Sequence, residues 1–254
     1  MVVTGQPPEA GGRRDRPPLT RAAIIGAAIE LADHEGIGAL SMRKLAATLG
    51  FEVMSLYNHV ANKTELLAAM VDEVAADIVP LSAMAADDDP IQGVRAVALA
   101  MREVLVEHRW ASDLWLGHVP GPFRTAAMEL LLERLAALDV SEHVEHVGFH
   151  AVNNHVLGYT IQAQAMDVGM ASEGADQRIH QYMAQLAEAD APRMAAHVQQ
   201  HLDGDTGSSF EIVLDFILDG LVGLDHTERS PSTLGVDGGD SDERQRNGRQ
   251  RHDR

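Results

Sequence analysis

The stretch from residue 41 to residue 63, SMRKLAATLGFEVMSLYNHVANK, constrains the fold most, because it has the pattern of two short helices joined by a tight turn. Its first half has apolar residues at positions i, i+3, i+4 and i+7, which share one helical face. These residues are Met42, Leu45, Ala46 and Leu49. Gly50 follows, and glycine adopts without strain the left-handed backbone that commonly ends a helix. A second helix is predicted from about Val53, which gives a helix-turn-helix.

The second helix leaves an unusual set of side chains facing outward once Val53, Leu56 and Val60 are assigned to the interior. A face that meets only water more often carries Lys and Glu, whereas short donors and acceptors suit phosphates and base edges. The outward residues are Met54, Ser55, Tyr57, Asn58 and His59. We therefore expect this face to contact DNA. The alternative is a generic three-helix packing unit in an all-α protein.

The next helix is expected to begin with a capping box. Asn62 is the predicted N-cap, and Glu65, three residues later, is expected to reach back to the cap. Lys63 lies in the first turn of this helix and is predicted to be free to contact a phosphate. The helix is expected to run to about Val79 and to end at Pro80, because proline breaks a helix interior.

The run from residue 19 to about residue 78 resembles the DNA-binding domain of the tetracycline-repressor (TetR) family. It shares an amphipathic first helix, a glycine-rich turn, the pattern S/T-x-R-x-L-A-x-x-L-G, and then L-Y-x-H-V-x-N-K at the start of a long fourth helix. The resemblance implies an all-α fold with an N-terminal three-helix helix-turn-helix domain and a C-terminal helical regulatory and dimerisation domain. It further implies a homodimeric repressor that binds double-stranded DNA at an inverted-repeat operator and is released by a small organic effector.

The resemblance also implies roles for individual residues. Arg43 follows Ser41 at the start of the second helix and matches a family position that reaches DNA, while Tyr57 and Lys63 are expected to contact phosphates. Val53 and Met54 depart from the polar residues that some relatives place at the start of the reading helix, and we expect Met54 to contact a thymine methyl group. The full predicted DNA-binding set is Ser41, Arg43, Val53, Met54, Ser55, Tyr57, Asn58, His59 and Lys63.

The net charge of −18 is unusual for a DNA-binding protein, so its distribution matters. Residues 13–65 carry seven Lys or Arg against six Asp or Glu, and the rest of the chain carries 13 against 32. The acidic excess therefore lies away from the expected reading face, and the DNA affinity should depend strongly on salt. The chain has no cysteine, no signal sequence and no run of about twenty apolar residues, so a cytoplasmic protein without a membrane span is expected.

Both ends of the chain lack periodicity. Residues 1–18, with Arg13, Arg14 and Arg16, are predicted to be a disordered leader that either lies along DNA or only aids solubility. A helix-turn-helix domain at 19–79, a ligand-binding and dimerisation domain at 80–226 and a disordered tail at 227–254 are predicted to follow. Asp89 and Pro90 are expected to begin the second domain's first long helix. Its helices are predicted near 91–109, 122–138, 142–167, 176–187, 190–202 and 208–224.

Two C-terminal segments have apolar stripes wider than one neighbouring helix needs. The first stripe contains Val144, Val147, Ala151, Val152, Val156 and Ile161, and the second contains Phe210, Val213, Leu214, Ile217, Leu218, Leu221 and Val222. The resemblance implies that these two helices pair with their copies as a four-helix bundle. A two-fold dimer also doubles the DNA contact of one short helix-turn-helix. The alternative is that both stripes are ordinary core.

A ligand site is expected in the middle of the chain. Trp110 and Trp115 flank the segment ASDLWLGHVPGPF, expected to be an irregular turn, and the helix from Ser141 brings further polar groups and a methionine to it at helical spacing. An apolar pocket with a few polar groups is the usual form of a small-molecule site. The alternative is that these large side chains only fill the core. The predicted pocket set is Trp110, Trp115, His118, Asn153, Asn154, Gln162 and Met166.

The segments WASDLWLGHVPGPF and SEHVEHVGFHAVNNHVLGYTIQAQ also resemble the regulatory domains of the tetracycline repressors themselves. In that alignment, positions that bind the drug-bound magnesium or its water shell hold Trp115, His118 and Gln162. Of these only His118 is a strong metal ligand. The comparison therefore favours a more apolar organic ligand over a tetracycline–magnesium complex.

Two histidine pairs allow a different hypothesis. His146 and His150 are four residues apart on one expected helix, and His197 and His201 repeat that spacing, which suits a shared zinc ion. A metalloenzyme would further need a third ligand and a base such as Glu145. Neither pair forms an H-E-x-x-H motif, so we predict no catalytic residues, no metal and no cofactor. A helical small-molecule carrier with a purely structural helix-turn-helix is the remaining alternative.

Overall fold

The computed structural model describes residues 18–85, 89–203 and 209–229, and every regular element in these ranges is helical. The predicted all-α fold is confirmed. Short 3₁₀ turns occupy Ile37–Ala39 and Ala75–Asp77. The α-helices are α1 (Arg21–Glu35), α2 (Met42–Leu49), α3 (Val53–Tyr57), α4 (Lys63–Val74), α5 (Ile78–Met84), α6 (Pro90–Glu107), α7 (Arg109–Leu114), α8 (Pro122–Ala136), α9 (Glu142–Ala171), α10 (Ala175–Glu188), α11 (Pro192–Leu202) and α12 (Ser209–Arg229).

Helices α1 to α4 form the N-terminal unit, which we call the head. Thr20 caps α1 by accepting a hydrogen bond from the Ala23 amide at 3.1 Å. Gly50 ends α2 with φ of 70°, the left-handed conformation that the sequence predicted there. Of the predicted interior residues of α2 and α3, Leu49 and Val53 are half-buried and the others are buried. The head's core comprises Ile24, Ala28, Leu31, Leu45, Ala46, Leu56, Val60, Leu66, Met70 and Val71.

The prediction that Pro80 ends the fourth helix is wrong. Helix α4 stops at Val74, a 3₁₀ turn follows, and Pro80 lies inside α5 as its third residue. In the first turn of a helix the backbone amide has no intrahelical acceptor, so proline loses no hydrogen bond there. The predicted start of the next long helix is confirmed, since the Asp89 side chain accepts a hydrogen bond from the Ile91 amide at 2.9 Å and Pro90 is the first helical residue.

The C-terminal unit packs around α6, which contacts α5, α8 and α9, while α12 lies against α9. Two predictions need correction. The segment expected to be an irregular turn begins with a short helix, α7, and α12 continues to Arg229, past the predicted start of the tail at residue 227. Residues 1–17, with the Arg-rich leader, and residues 230–254 of the tail lie outside the described residues. None of the described helices is both long and apolar enough to cross a membrane.

Candidate DNA-reading head and ligand pocket

The predicted DNA-binding residues lie on α2, on α3, in the turn after α3 and at the start of α4, and Leu56 and Val60 are buried beneath this part of the head. Most of them are exposed, and Met54 is the most open, with 73% of its surface accessible. The exposed members are Ser41, Arg43, Met54, Tyr57, Asn58 and Lys63, and the half-buried members are Val53, Ser55 and His59. Among the described residues, the Arg43 guanidinium makes no hydrogen bond or ion pair, so it is available to DNA.

The sequence predicted that Asn58 and His59 lie on a face of the reading helix. That prediction is wrong, because α3 ends at Tyr57. The His59 and Val60 amides both donate to the Leu56 carbonyl, at 2.9 and 3.0 Å, which tightens the chain into a turn. The reading surface therefore consists of a single-turn helix and the turn after it. Polar residues in such a turn still face outward, and Asn58 is exposed.

Two members of the predicted DNA-binding set also have structural roles. Ser41 caps α2, since its hydroxyl accepts a hydrogen bond from the Lys44 amide at 3.2 Å. The Lys63 Nζ donates to the Leu40 carbonyl at 2.7 Å, so the prediction that Lys63 is free is wrong. The ammonium group has three donors. Two of them remain for a phosphate, and the contact with Leu40 fixes where they point.

The start of α4 is held by a capping arrangement close to the predicted one. Asn62 Oδ1 accepts from the Glu65 amide at 2.9 Å, as expected for the N-cap. Glu65 Oε2 accepts from the Ala61 amide at 2.6 Å, one residue earlier than a capping box requires. Glu65 Oε1 also pairs with the Arg21 guanidinium at 3.1 Å, which ties α4 to α1. The Ala61 amide and then Arg21 hold the pKa of Glu65 below its ordinary value of 4.5.

This shift predicts an acid dependence of stability. Because the folded-state pKa of Glu65 lies below the unfolded one, its contribution is present above the unfolded value and is lost as pH falls through the folded value. We expect Glu65→Gln to lower the free energy of unfolding at pH 7 by roughly 0.2–1 kcal/mol, since the side chain is partly exposed. Urea unfolding at pH 7 and in acid should show that difference shrinking. An equal difference at both pH values would contradict the assignment.

A cavity of about 300 Å³ lies between α5, α6, α8, α9 and the segment 115–121, which we call the pocket turn. Four residues of the predicted pocket line it together: Trp115, His118, Asn153 and Asn154. His150, which is also on α9, adds an imidazole beside the amides of Asn153 and Asn154. The remaining wall is apolar and includes Ile78, Val97, Met101, Leu116, Met128, Leu131, Phe149 and Leu157.

The other three predicted pocket residues lie elsewhere. Gln162 and Met166 line a separate cavity of about 330 Å³ beside Arg102 and Tyr159. Gln162 is eight residues beyond Asn154 on α9, which moves it about 12 Å along the helix axis at 1.5 Å per residue. The helical spacing of these residues placed them on one face of α9, but it did not show that α9 continues beyond the pocket.

Trp110 faces the head instead of the cavity at Trp115. Its Nε1 donates to Asp33 Oδ1 of α1 at 2.7 Å, and His108 Nδ1 lies 3.0 Å from the same oxygen. The tryptophan is 5% exposed. Trp110 therefore joins the C-terminal unit to the head.

Sequence reasoning missed Arg124, which organises the pocket turn. Its side chain is 2% exposed, and its guanidinium donates to three carbonyl oxygens of the turn. The distances are 2.6 Å to Trp115, 3.1 Å to His118 and 2.7 Å to Val119. The guanidinium also lies 5.7 Å from the centre of the Trp115 ring, over which it stacks. Burial lowers the pKa of Arg124, and the Asp72 carboxylate opposes that shift.

Sequence reasoning also missed Asp72, which reaches from α4 to the start of α8. Its two carboxylate oxygens accept from the Arg124 amide at 2.9 Å and from the Phe123 amide at 3.3 Å. Asp72 is 7% exposed. The available signal was a charged residue directly after the apolar pair Met70 and Val71 of α4, because a carboxylate among buried side chains must be hydrogen-bonded.

The histidine pairs are close in space. The ring centres of His146 and His150 are 4.7 Å apart, and the Nε2 atoms of His197 and His201 are 3.2 Å apart. Within the described ranges, no group of three or more His, Cys, Asp or Glu side chains is arranged to hold a metal ion.

Comparison with known proteins agrees with this architecture. The family model described as "Bacterial regulatory proteins, tetR family" matches residues 24–70, and the model described as "Tetracyclin repressor-like, C-terminal domain" matches residues 85–224. An HTH-type transcriptional regulator of Saccharopolyspora erythraea is 30% identical over 210 residues, covering 82% of this chain and 86% of the relative. The class D tetracycline repressor protein of Escherichia coli is 28% identical over 189 residues, covering 74% and 82%.

One of the solved structures that are similar over nearly their whole length is a ligand complex. It is the TetR family protein ActR of Streptomyces coelicolor in complex with actinorhodin, with a TM-score of 0.65 and 27% identity. The match covers 81% of this chain and 98% of that chain.

Proposed function

The chain belongs to the TetR family of bacterial transcriptional regulators, and we propose that it represses transcription by binding an inverted-repeat operator as a homodimer that a small organic ligand releases. The observation that carries DNA binding is the exposed set on and after α3, where Met54, Tyr57 and Asn58 stand over a buried Leu56. Such a regulator acts where the chromosome lies, in the cytoplasm, and needs no catalytic group.

Dimerisation is supported by two apolar faces on α12. One face is buried in the chain and carries Phe210, Leu214, Leu218 and Leu221. The other is exposed and carries Ile212, Val213, Phe216 and Leu224. An exposed apolar stripe of this kind marks an interaction surface. A second copy of the same helix is the partner that a two-fold operator requires.

The pocket chemistry favours an apolar, flat ligand that carries oxygen atoms. Trp115 and Phe149 offer aromatic faces, while His118, His150, Asn153 and Asn154 offer hydrogen-bonding groups. The charge of Arg124 is already engaged by three carbonyls and by Asp72. The similar protein ActR was solved with actinorhodin. The described residues that line the cavity include two imidazoles but no carboxylate, and Mg²⁺ is usually held through carboxylate and water oxygens, so we expect binding without magnesium.

Selection from random duplexes tests the DNA-binding proposal directly. The dimer should enrich an inverted repeat whose half-sites are about 10 bp apart, because two reading helices must enter successive major grooves about 34–36 Å apart. Calorimetry tests the ligand class. It compares actinorhodin with minocycline, which is a tetracycline, each with and without Mg²⁺. Enrichment of no sequence would contradict the regulator, and binding of minocycline only with magnesium would contradict the proposed ligand chemistry.

Single substitutions in the head should separate base reading from phosphate contact. We expect Arg43→Ala or Asn58→Ala to cost roughly 1–3 kcal/mol of operator affinity and to relax sequence preference. Lys63→Ala should weaken all duplexes alike and lower the salt slope by about 1. Lys44→Ala is the matched control, because this charge pairs with Glu35 within the head. A changed sequence preference with an unchanged salt slope for Lys63→Ala would show that the roles are assigned wrongly.

A further inference from the structure

The Asp72 carboxylate occupies the place of an N-cap for a helix to which it does not belong. Helix α8 begins after Gly121 and has no capping side chain of its own. Asp72 instead accepts from Phe123 and Arg124, the second and third residues of that helix, whose amides an N-cap side chain normally binds. We propose that Asp72 is the positioning residue through which the ligand pocket sets the orientation of α4 and the head, an inference that rests on the function proposed above.

On the pocket side, the turn and the start of α8 form one unit. Arg124 holds the carbonyls of Trp115, His118 and Val119, and both Trp115 and His118 line the cavity. A ligand that displaces the pocket turn therefore displaces Arg124 and its backbone amide. That amide is one of the two donors to Asp72.

Gly121 makes the fit between the two units tight. A Cβ atom at this position would lie 2.4 Å from Asp72 Oδ2 and 2.5 Å from Cγ, closer than real Cβ contacts occur. The backbone of Gly121 is ordinary, with φ of −85° and ψ of −170°, so glycine is needed here for space and not for conformation. Movement of the pocket turn toward α4 must therefore push Asp72.

On the head side, α4 can transmit such a push. Leu66 and Met70 of α4 are fully buried in the head, so the helix and the head move together. Asp72 is nine residues beyond Lys63, about 14 Å along the helix axis. The Trp110–Asp33 hydrogen bond holds α1 to the C-terminal unit at a second point. With one point held, a shift at Asp72 becomes a rotation of the head.

The Arg124 guanidinium can also pair directly with the Asp72 carboxylate, which gives these two side chains a second arrangement. Its Nε lies 4.0 Å from Asp72 Oδ1 and has no hydrogen-bond partner among the described residues. A movement of about 1 Å would bring this pair to hydrogen-bond distance. When the carbonyls of the pocket turn move away from Arg124, its buried guanidinium can therefore form a hydrogen bond with Asp72. Packed interfaces with two such arrangements amplify small shifts.

The test uses the full-length chain without DNA or ligand. Because the chain has no cysteine, Met54→Cys gives one spin label on each exposed reading helix, and the label-to-label distance in the dimer reports the head orientation. Gly121→Ala should shift the mean distance by about 2 Å or more. Gly117→Ala is the matched control in the same turn, since its Cβ would make only an ordinary 3.6 Å contact, and it should leave the distance unchanged.

Asp72 variants decide whether the shift passes through this carboxylate. Asp72→Ala should broaden the distance distribution, and Gly121→Ala combined with Asp72→Ala should match Asp72→Ala alone, because the clash partner is gone. Glu73→Ala removes an exposed carboxylate from the same helix and should change nothing. If Asp72→Ala folds poorly, Asp72→Asn replaces it as the test variant. Asparagine keeps the side-chain shape and removes the charge, and this variant should give the same broadening.

Two results would overturn the proposal. One is a wild-type distance distribution in Gly121→Ala, and the other is a shift in the double variant equal to the sum of the single shifts. Loss of thermal stability alone would not produce the expected distances. If the chain is a monomer, the dimer of the proposed function fails instead, and a second label at Glu133→Cys on α8 provides the same comparison within one chain.

Discussion

Arg124→Ala should lower the free energy of unfolding by about 3–5 kcal/mol, among the largest effects of any single substitution in this chain. The guanidinium is almost fully buried, and its removal leaves the carbonyls of Trp115, His118 and Val119 without their donor. It also leaves the buried Asp72 carboxylate without its countercharge. Urea unfolding at one fixed protein concentration measures the effect, because the stability of a dimer depends on concentration.

Arg109→Ala is the control for loss of an arginine. Arg109 is half-exposed and lies 3.5 Å from an exposed Asp167, so its removal should cost less than about 1 kcal/mol. Arg124→Lys should fall between the two, since lysine keeps the charge but cannot direct a planar fork at several carbonyls. Equal losses for Arg124→Ala and Arg109→Ala would mean that the contacts to the pocket turn contribute no stability.

Local rules predicted much of the head from the sequence. Asn62 caps its helix and Gly50 takes the left-handed conformation, both as expected, and Thr20 and Ser41 cap α1 and α2 in the same local way. Each of these features depends on residues within four positions of one another, so a short window of sequence contains the whole cause. The resemblance to the TetR family then supplied the function, which no local pattern contains.

Predictions that depended on helix length were less accurate. Helix α3 is a single turn because the Leu56 carbonyl accepts two amides, so Asn58 lies beyond its end. Pro80 lies in the first turn of a helix where it was expected to stop one, since the break falls earlier at the 3₁₀ turn after Val74. Side-chain spacing shows which residues share a face, but it does not show where a helix is interrupted.

The contacts between units could not be predicted from the sequence. Asp72 and Arg124 are 52 positions apart, and Trp110 and Asp33 are 77 apart. Nothing in either local pattern specifies its partner. The same limit applies to Lys63, whose partner, the Leu40 carbonyl, is a backbone atom that no side-chain pattern displays. A charged residue among buried apolar residues indicates that it has a hydrogen-bonding partner, but it does not indicate which residue that partner is.

The two apolar faces of α12 lead to the second large effect, which is expected at Phe210. This side chain is 1% exposed, stacks on His155 with ring centres 4.6 Å apart and meets Tyr159 edge-on at 5.3 Å. The Arg102 guanidinium lies 4.8 Å from the centre of its ring. We expect Phe210→Ala to lower the free energy of unfolding by about 3–5 kcal/mol, through lost burial and the cavity that remains, as measured by urea unfolding.

Phe216→Ala on the same helix should behave differently. Phe216 is 69% exposed on the outer face of α12, so its loss should barely change packing within the chain. If that face is the dimer interface, an aromatic residue there is expected to contribute 2 kcal/mol or more to association, about a 30-fold rise in the dimer dissociation constant on truncation. Sedimentation equilibrium separates the two variants. A folded Phe216→Ala protein with the wild-type dissociation constant would place the dimer contact on another surface, because a stripe buried between two copies cannot lose its largest side chain without weakening their association.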